Sequence, residues 1–126
     1  MAKVKNKLTE EHKLKFMSAI FGWQERFGLQ KWSLIKSSIP SKYMAEVDFE
    51  KDKSHKMARV KVGTDWKSTE PNEENISSVA CHEVLHVLLY DLIEYSREHP
   101  YDGNGILEKE HEVINSIERA IHGPLK

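Results

Sequence analysis

Three residues of this chain, His82, Glu83 and His86, combine side-chain types and a spacing that can do chemistry. They form the pattern His-Glu-x-x-His, and residues four apart on an α-helix lie on the same face, so both imidazoles can reach one metal ion. Glu83 then lies beside that ion, where its carboxylate can take a proton from a metal-bound water, whose pKa zinc lowers from about 15.7 to about 7. The pattern therefore predicts a hydrolytic metal centre, with His82 and His86 as ligands and Glu83 as general base.

The segment around the motif favours a metal site over a chance arrangement of packed histidines. Residues Ile76–Ile93 are apolar on most sides, as expected of a helix that is buried in a small domain. Two histidines and a glutamate in the middle of such a helix are costly to bury unless each finds a partner. A metal ion supplies that partner for both rings.

A third ligand is expected after the motif, because a catalytic zinc ion usually takes three protein ligands and one water. Proline and two glycines within residues 99–105 predict a loop, and Ile106–Ile121 then predicts a second helix. The apolar residues of that helix form one stripe at helical spacing, which comprises Val113, Ile114, Ile117, Ala120 and Ile121. Glu110 is expected on this buried stripe, and we take it as the third ligand. Glu112, His111 and Glu108 remain as alternatives.

The elements that must position these residues predict an α+β fold. An N-terminal helix is expected between a cap at Thr9 and a stop at Gly28. Alternating segments predict a small, mostly antiparallel sheet of three strands, which are Trp32–Ile35, Tyr43–Phe49 and Lys56–Gly63. The last two strands form a hairpin through a polar turn at Glu50–His55. A linker, Thr64–Glu74, leads into the motif helix and offers Ser68, Thr69 or Asn72 as its cap.

Length and composition predict a single domain over residues 1–126 and exclude several classes of partner. The chain is 39% hydrophobic and 31% charged, with a formal net charge of −1, and no long basic run indicates a nucleic-acid surface. No uncharged apolar run reaches the roughly 18 residues that a membrane span needs. Cys81 is the only cysteine and is expected to be a small packed residue rather than a ligand. A chain without a disulfide framework or a signal-peptide pattern fits the cytoplasm, and we expect a monomer.

The motif and the downstream glutamate resemble the gluzincin branch of zinc metallopeptidases. In that branch a His-Glu-x-x-His helix is followed by a ligand Glu on the next helix, here Glu110, twenty-four residues after His86. The small size is similar to that of minigluzincins, and Glu110–Ile114 is distantly similar to the Glu-x-Glu-Ala-Asn stretch of ImmA/IrrE peptidases. The resemblance covers about residues 57–121. It implies a minimal zincin fold, one zinc ion, a peptide or protein substrate and a bacterial or phage source. It also implies that the strand before the motif helix, Met57–Val62, forms the rim of the cleft and pairs with the substrate.

Two functions follow as expectations. The first is a zinc-dependent endopeptidase that acts on a cytoplasmic protein. The second is a latent or inactive zincin that serves as a metal-binding regulatory or interaction module, because Ile114 stands where larger gluzincins place an Asp or Asn that supports a ligand histidine. In a latent form, the basic N-terminal segment or the tail at residues 122–126 would lie across the cleft, with His12 or His122 as a ligand in place of water.

Overall fold

The computed structural model of the protein describes residues 6–50 and 56–122. These residues form three helices and one three-stranded sheet, in the order α1 (Glu10–Arg26), β1 (Ser33–Lys36), β2 (Ala45–Phe49), β3 (Met57–Val62), α2 (Glu73–Glu98) and α3 (Gly103–His122). The expected α+β class and the order of the elements are confirmed. Most of the turn expected at Glu50–His55 lies outside the described residues.

Helix α1 begins and ends at the residues that the sequence indicates. Thr9 caps it by accepting the N–H of His12, and the Nδ1 atom of His12 accepts the N–H of Thr9 in return, so the two form a capping box. After the helix, Gly28 adopts a positive φ of 71°, a conformation that favours glycine. The inner side of α1 buries Phe16 and Ile20 in the core.

The sheet is mixed, with the strand order β1-β3-β2. β2 pairs antiparallel with β3, which confirms the hairpin, whereas β1 pairs parallel with β3. The expectation of a mostly antiparallel sheet is therefore wrong for one of the two pairs. The physical reason is the path after β1, which crosses the end of β3, where the N–H of Ser41 donates to the carbonyl of Val62 at 3.2 Å. The chain then returns as β2 on the far side, so β3 is central and β2 is an edge strand.

Helix α2 is the central helix of the core and is longer than the segment Ile76–Ile93 that the sequence indicates. Asn72, one of the three candidate caps, accepts the N–H of Asn75 at 2.8 Å. Its buried face packs against α1, β2 and α3. By length and composition alone α2 also suits a membrane span, as the core helix of a globular domain often does. The expectation that the protein has no membrane partner stays a prediction.

Helix α3 begins at Gly103, three residues earlier than the expected Ile106. Asp102 causes the earlier start, because its carboxylate accepts the N–H of Gly105 at 3.0 Å, as an N-cap residue does. The expected apolar stripe is only partly correct. Val113 and Ala120 are buried, but Ile114 is 41% exposed and Ile121 is 68% exposed, since the inner face of the helix turns away from both.

Candidate metal centre

His82, Glu83 and His86 come together on one turn of α2. One potential ligand atom from each of them lies within 4.8 Å of the others. The Nε2 atoms of the two histidines are 3.3 Å apart. Two nitrogens bound to one tetrahedral zinc ion at about 2.0–2.1 Å would be separated by about 3.3–3.4 Å. The two rings therefore stand at the separation that a shared zinc ion requires, and imidazole nitrogens are donors that suit that metal.

The three side chains differ in their burial. His82 and His86 are exposed, whereas Glu83 is only 5% exposed and lies in the cleft wall. One helix produces both conditions, because consecutive residues point about 100° apart around its axis. The imidazoles thus remain accessible to a metal ion from solution, and the carboxylate beside them is shielded from water.

The surroundings of Glu83 shift the pKa of its carboxyl group in opposite directions. Burial is the largest influence and raises the pKa of its carboxyl group, while the rings of His86 and His82 lower it. The carboxylate of Glu46, on β2, adds to the increase in pKa. Glu83 is thus coupled electrostatically to the two histidines and to a residue across the cleft.

The motif opens into a cleft of about 720 Å³ between α2 and β2. Apolar side chains make up much of its wall, together with the motif residues and one further carboxylate. The lining residues are Tyr43, Met44, Ala45, Glu46, Val47, Phe49, Ser78, Val79, His82, Glu83 and His86. A cleft of this size and character suits a short peptide or a small organic ligand.

The strand that borders this cleft is β2, not β3. The expectation that Met57–Val62 forms the rim is wrong, because β3 is hydrogen-bonded to β1 on one side and to β2 on the other. β3 has no open edge for another strand. Ala45–Phe49 takes the position that the sequence assigned to β3.

Glu110 is not part of the group that His82, Glu83 and His86 form. Glu110 is exposed on α3, whereas the sequence predicted it on a buried stripe. Among the described residues, the group of potential ligands consists of His82, Glu83 and His86 without it. The three alternatives, Glu112, His111 and Glu108, are also exposed, and Glu112 lies 4.0 Å from the ammonium of Lys109. Helix α3 packs against α2, the helix that carries the motif. The role of Glu110 as third ligand stays a prediction.

Of the two histidines that the latency hypothesis names, only His12 has a described side chain, and it is not in the cleft. His12 closes the capping box of α1 and is not among the residues that line the cleft. The side chain of His122 and residues 1–5 and 123–126 lie outside the described part of the chain. Blocking of the cleft by a terminal segment therefore stays a prediction.

Cys81 precedes the motif but belongs to the packing side of α2. It is half-buried and packs against the core. Burial raises the pKa of its thiol, and the charge of Arg26 partly opposes this. A raised thiol pKa disfavours the thiolate that would bind metal, in agreement with the interpretation of Cys81 as a packed residue.

Several cleft residues were not singled out from the sequence. Ser78 could have been found, because it precedes His82 by one helical repeat and so shares its face. Glu46 and Val47 were assigned to a strand, but nothing local in the sequence indicates that this strand lies at the edge of the sheet. That position depends on the crossing of the chain after β1.

No protein-family model, curated protein or solved structure matches the chain. The functional proposal therefore rests on the geometry of the site and on its His-Glu-x-x-His motif.

Proposed function

We propose that this protein is a zinc-dependent metallopeptidase that hydrolyses peptide bonds of a cytoplasmic protein. One observation carries the proposal: the Nε2 atoms of His82 and His86 lie 3.3 Å apart in a cleft that also contains the Glu83 carboxylate. The separation suits a shared zinc ion, and a carboxylate next to such an ion is suited to proton transfer rather than to structure alone.

The chain's own residues have distinct roles in this function. His82 and His86 hold the zinc ion, with a third side chain that we expect from α3. When bound, zinc lowers the pKa of a coordinated water and polarises the scissile carbonyl. Glu83 accepts a proton from the attacking water and passes it to the nitrogen of the leaving amine. The burial of Glu83 holds its carboxylate in one place between the two transfers.

The edge strand β2 provides the means to align a peptide. The carbonyl of Met44 accepts the N–H of Gly63, and the N–H of Glu50 donates to the carbonyl of Met57. Because residues of an antiparallel strand alternate in the direction of their hydrogen bonds, Ala45, Val47 and Phe49 direct their N–H and C=O groups to the open edge. An extended peptide can add there as a further strand, held by main-chain bonds beside the motif.

A second function, a metal-binding module without peptidase activity, is favoured by one observation. Among the described residues only His82, Glu83 and His86 gather, and Glu110 is exposed on α3. A site with only two histidine ligands and a weakly placed third ligand would bind metal without the fixed geometry that catalysis needs.

A single experiment separates the two functions. The full chain is loaded with one equivalent of zinc and incubated with a peptide mixture from digested bacterial proteins, and new termini are identified by mass spectrometry. We expect cleavage that stops when zinc is removed with a chelator and returns when zinc is added back. Bound zinc without any new termini would instead support the metal-binding module, and a failure to bind zinc would reject both.

A further inference from the structure

The two faces of edge strand β2 have different chemistry. Ala45, Val47 and Phe49 point to the core side of the sheet, where they line the cleft. The residues between them, Glu46 and Asp48, point to the outer face. Glu50, the next residue of the alternation, continues the acidic row beyond the strand. A peptide that pairs with β2 therefore meets apolar side chains on one face and carboxylates on the other.

The charges of the outer face do not cancel. On β3, Lys61 bonds the carboxylate of Asp48 at 2.7 Å, and Arg59 lies 3.3 Å from that of Glu50. Glu46 lies opposite Lys61 in the register of the two strands, but the ammonium is held by Asp48 instead. Three carboxylates thus share two cations. The side chain of Glu46 forms no salt bridge or hydrogen bond within residues 6–50 and 56–122, and it interacts with Lys61 only through space.

Glu46 is also the acidic residue of that row that reaches the cleft. By register Glu46 belongs to the outer face, but β2 is the edge strand, and Glu46 is half-buried there and borders the cleft together with His82 and Glu83. Its main-chain groups bond inward to β3, so the residue of an added antiparallel strand that faces it forms a non-hydrogen-bonded pair. Side chains approach most closely in pairs of this kind, and pairs of opposite charge there are stabilising.

We propose that Glu46 selects a substrate segment with a lysine or arginine opposite it, flanked on both sides by apolar residues. This inference rests on the proposed function, because it assigns the substrate class of the same cleft. The flanking residues of the segment pair with Ala45 and Val47 and point to the core side, where the cleft wall is apolar. Asp48 does not make the same selection, since Lys61 already neutralises it.

The test uses three acetylated and amidated heptapeptides, which carry a central lysine, glutamine or glutamate between two valines. Binding to the zinc-loaded full chain is measured by fluorescence polarisation, and cleavage is followed in the same mixtures by mass spectrometry. We expect the lysine peptide to bind about threefold more tightly than the glutamine peptide and about tenfold more tightly than the glutamate peptide.

Two variants attribute the preference to Glu46. The preference for lysine over glutamine is expected to disappear in Glu46→Gln and to remain in Asp48→Asn, which changes the neighbouring carboxylate of the same face. Equal binding of the three peptides, no binding of any, or a preference that survives Glu46→Gln would overturn the inference.

The two readouts separate the inference from the proposed function. Cleavage without a charge preference upholds the peptidase and overturns the role of Glu46. A preference that depends on Glu46, without cleavage, upholds the inference and counts against the peptidase.

Discussion

Helices α2 and α3 both carry residues assigned to the metal centre, but they hold them in different ways. α2 buries six residues, from Ile76 to Leu88, and brings its motif residues together within a single turn. Among the described side chains of α3 only Val113 and Ala120 are buried, and its candidate ligands, including Glu110, are exposed. The first helix positions its groups by its own geometry, whereas the second must position them through its packing on a neighbour.

The positions of the α2 side chains are thus fixed by the helix itself, whereas the positions of the α3 side chains depend on the interface between the two helices. The spacing of His82 and His86 along one helix sets their separation whatever the rest of the fold does. The distance from either of them to a residue of α3 depends on the rotation of α3 about its axis, and a rotation by one residue changes which side chain faces the metal. The predictions below test each side of this contrast.

The largest effect is expected from Glu83→Gln, which changes the locally fixed group. Loss of a positioned general base costs about 10²–10⁴-fold in rate, while the amide keeps the size of the side chain. We expect peptide cleavage to fall by that factor, with zinc content unchanged, as measured by mass spectrometry and elemental analysis. Retention of full cleavage would remove Glu83 from the reaction.

The next effect concerns the packing of the two helices. Leu88 on α2 is 6% exposed and Ile114 on α3 is 41% exposed. Leu88→Ala should lower the free energy of unfolding by about 2–5 kcal/mol, and Ile114→Ala by at most about 0.5 kcal/mol. Urea unfolding of the metal-free proteins measures both, since bound zinc would add its own stabilisation. Equal losses would show that α3 is packed as tightly as α2.

A sharper test of the positions on α3 is the removal of the expected third ligand. If Glu110 binds the metal, Glu110→Ala should weaken zinc binding by about 100-fold or more, because changes in outer-shell partners alone cost about 10–100-fold. Competition with a chromophoric chelator measures the affinity.

Glu112→Ala is the matched control for that test. It removes a neighbouring carboxylate that lies 4.0 Å from Lys109, and it should leave zinc affinity nearly unchanged. The reverse result would transfer the role to Glu112, and no loss in either variant would leave His111 and Glu108 as the candidates.

The smallest effect is expected at the start of α3, where Asp102 accepts hydrogen bonds from the Tyr95 hydroxyl and the Gly105 N–H. The Tyr95 bond, followed by the Gly105 bond, lowers the pKa of the Asp102 carboxyl from its usual 3.8. A lowered pKa in the folded state means that the carboxylate stabilises the fold above the unfolded pKa, and that this is lost as the pH falls through the folded value.

Asp102→Asn should therefore lower the Tm modestly at neutral pH, and the difference from the parent should shrink as the pH falls below 3.8. Thermal unfolding followed by circular dichroism across this range measures it. A difference that stays constant with pH would mean that the carboxylate charge contributes nothing to the start of α3.

Much of the fold could be predicted from the sequence where local signals decide. The Thr9 cap, the Gly28 stop and the hairpin of β2 and β3 each depend on a few neighbouring residues, and each is present in the structure. The gathering of His82, Glu83 and His86 belongs to the same class.

The features that the sequence did not predict depend on distant contacts. The parallel pairing of β1 follows from a chain crossing at Ser41, which no periodicity indicates. The edge position of β2 follows from the same crossing, so the wrong strand was assigned to the rim. On α3, five apolar residues suggested one stripe, but only the packing against α2 and α1 decides which of them are covered, and Ile114 and Ile121 are not.

The acidic row of β2 also bears on self-association. An open edge strand is a template on which another copy of the same chain can pair. If two copies joined antiparallel through β2 with their apolar faces on the same side, Glu46 and Asp48 of one would face the carboxylates of the other, and like charges directly opposite are destabilising. The carboxylates that suit the strand to a basic peptide therefore also protect it against edge-to-edge aggregation.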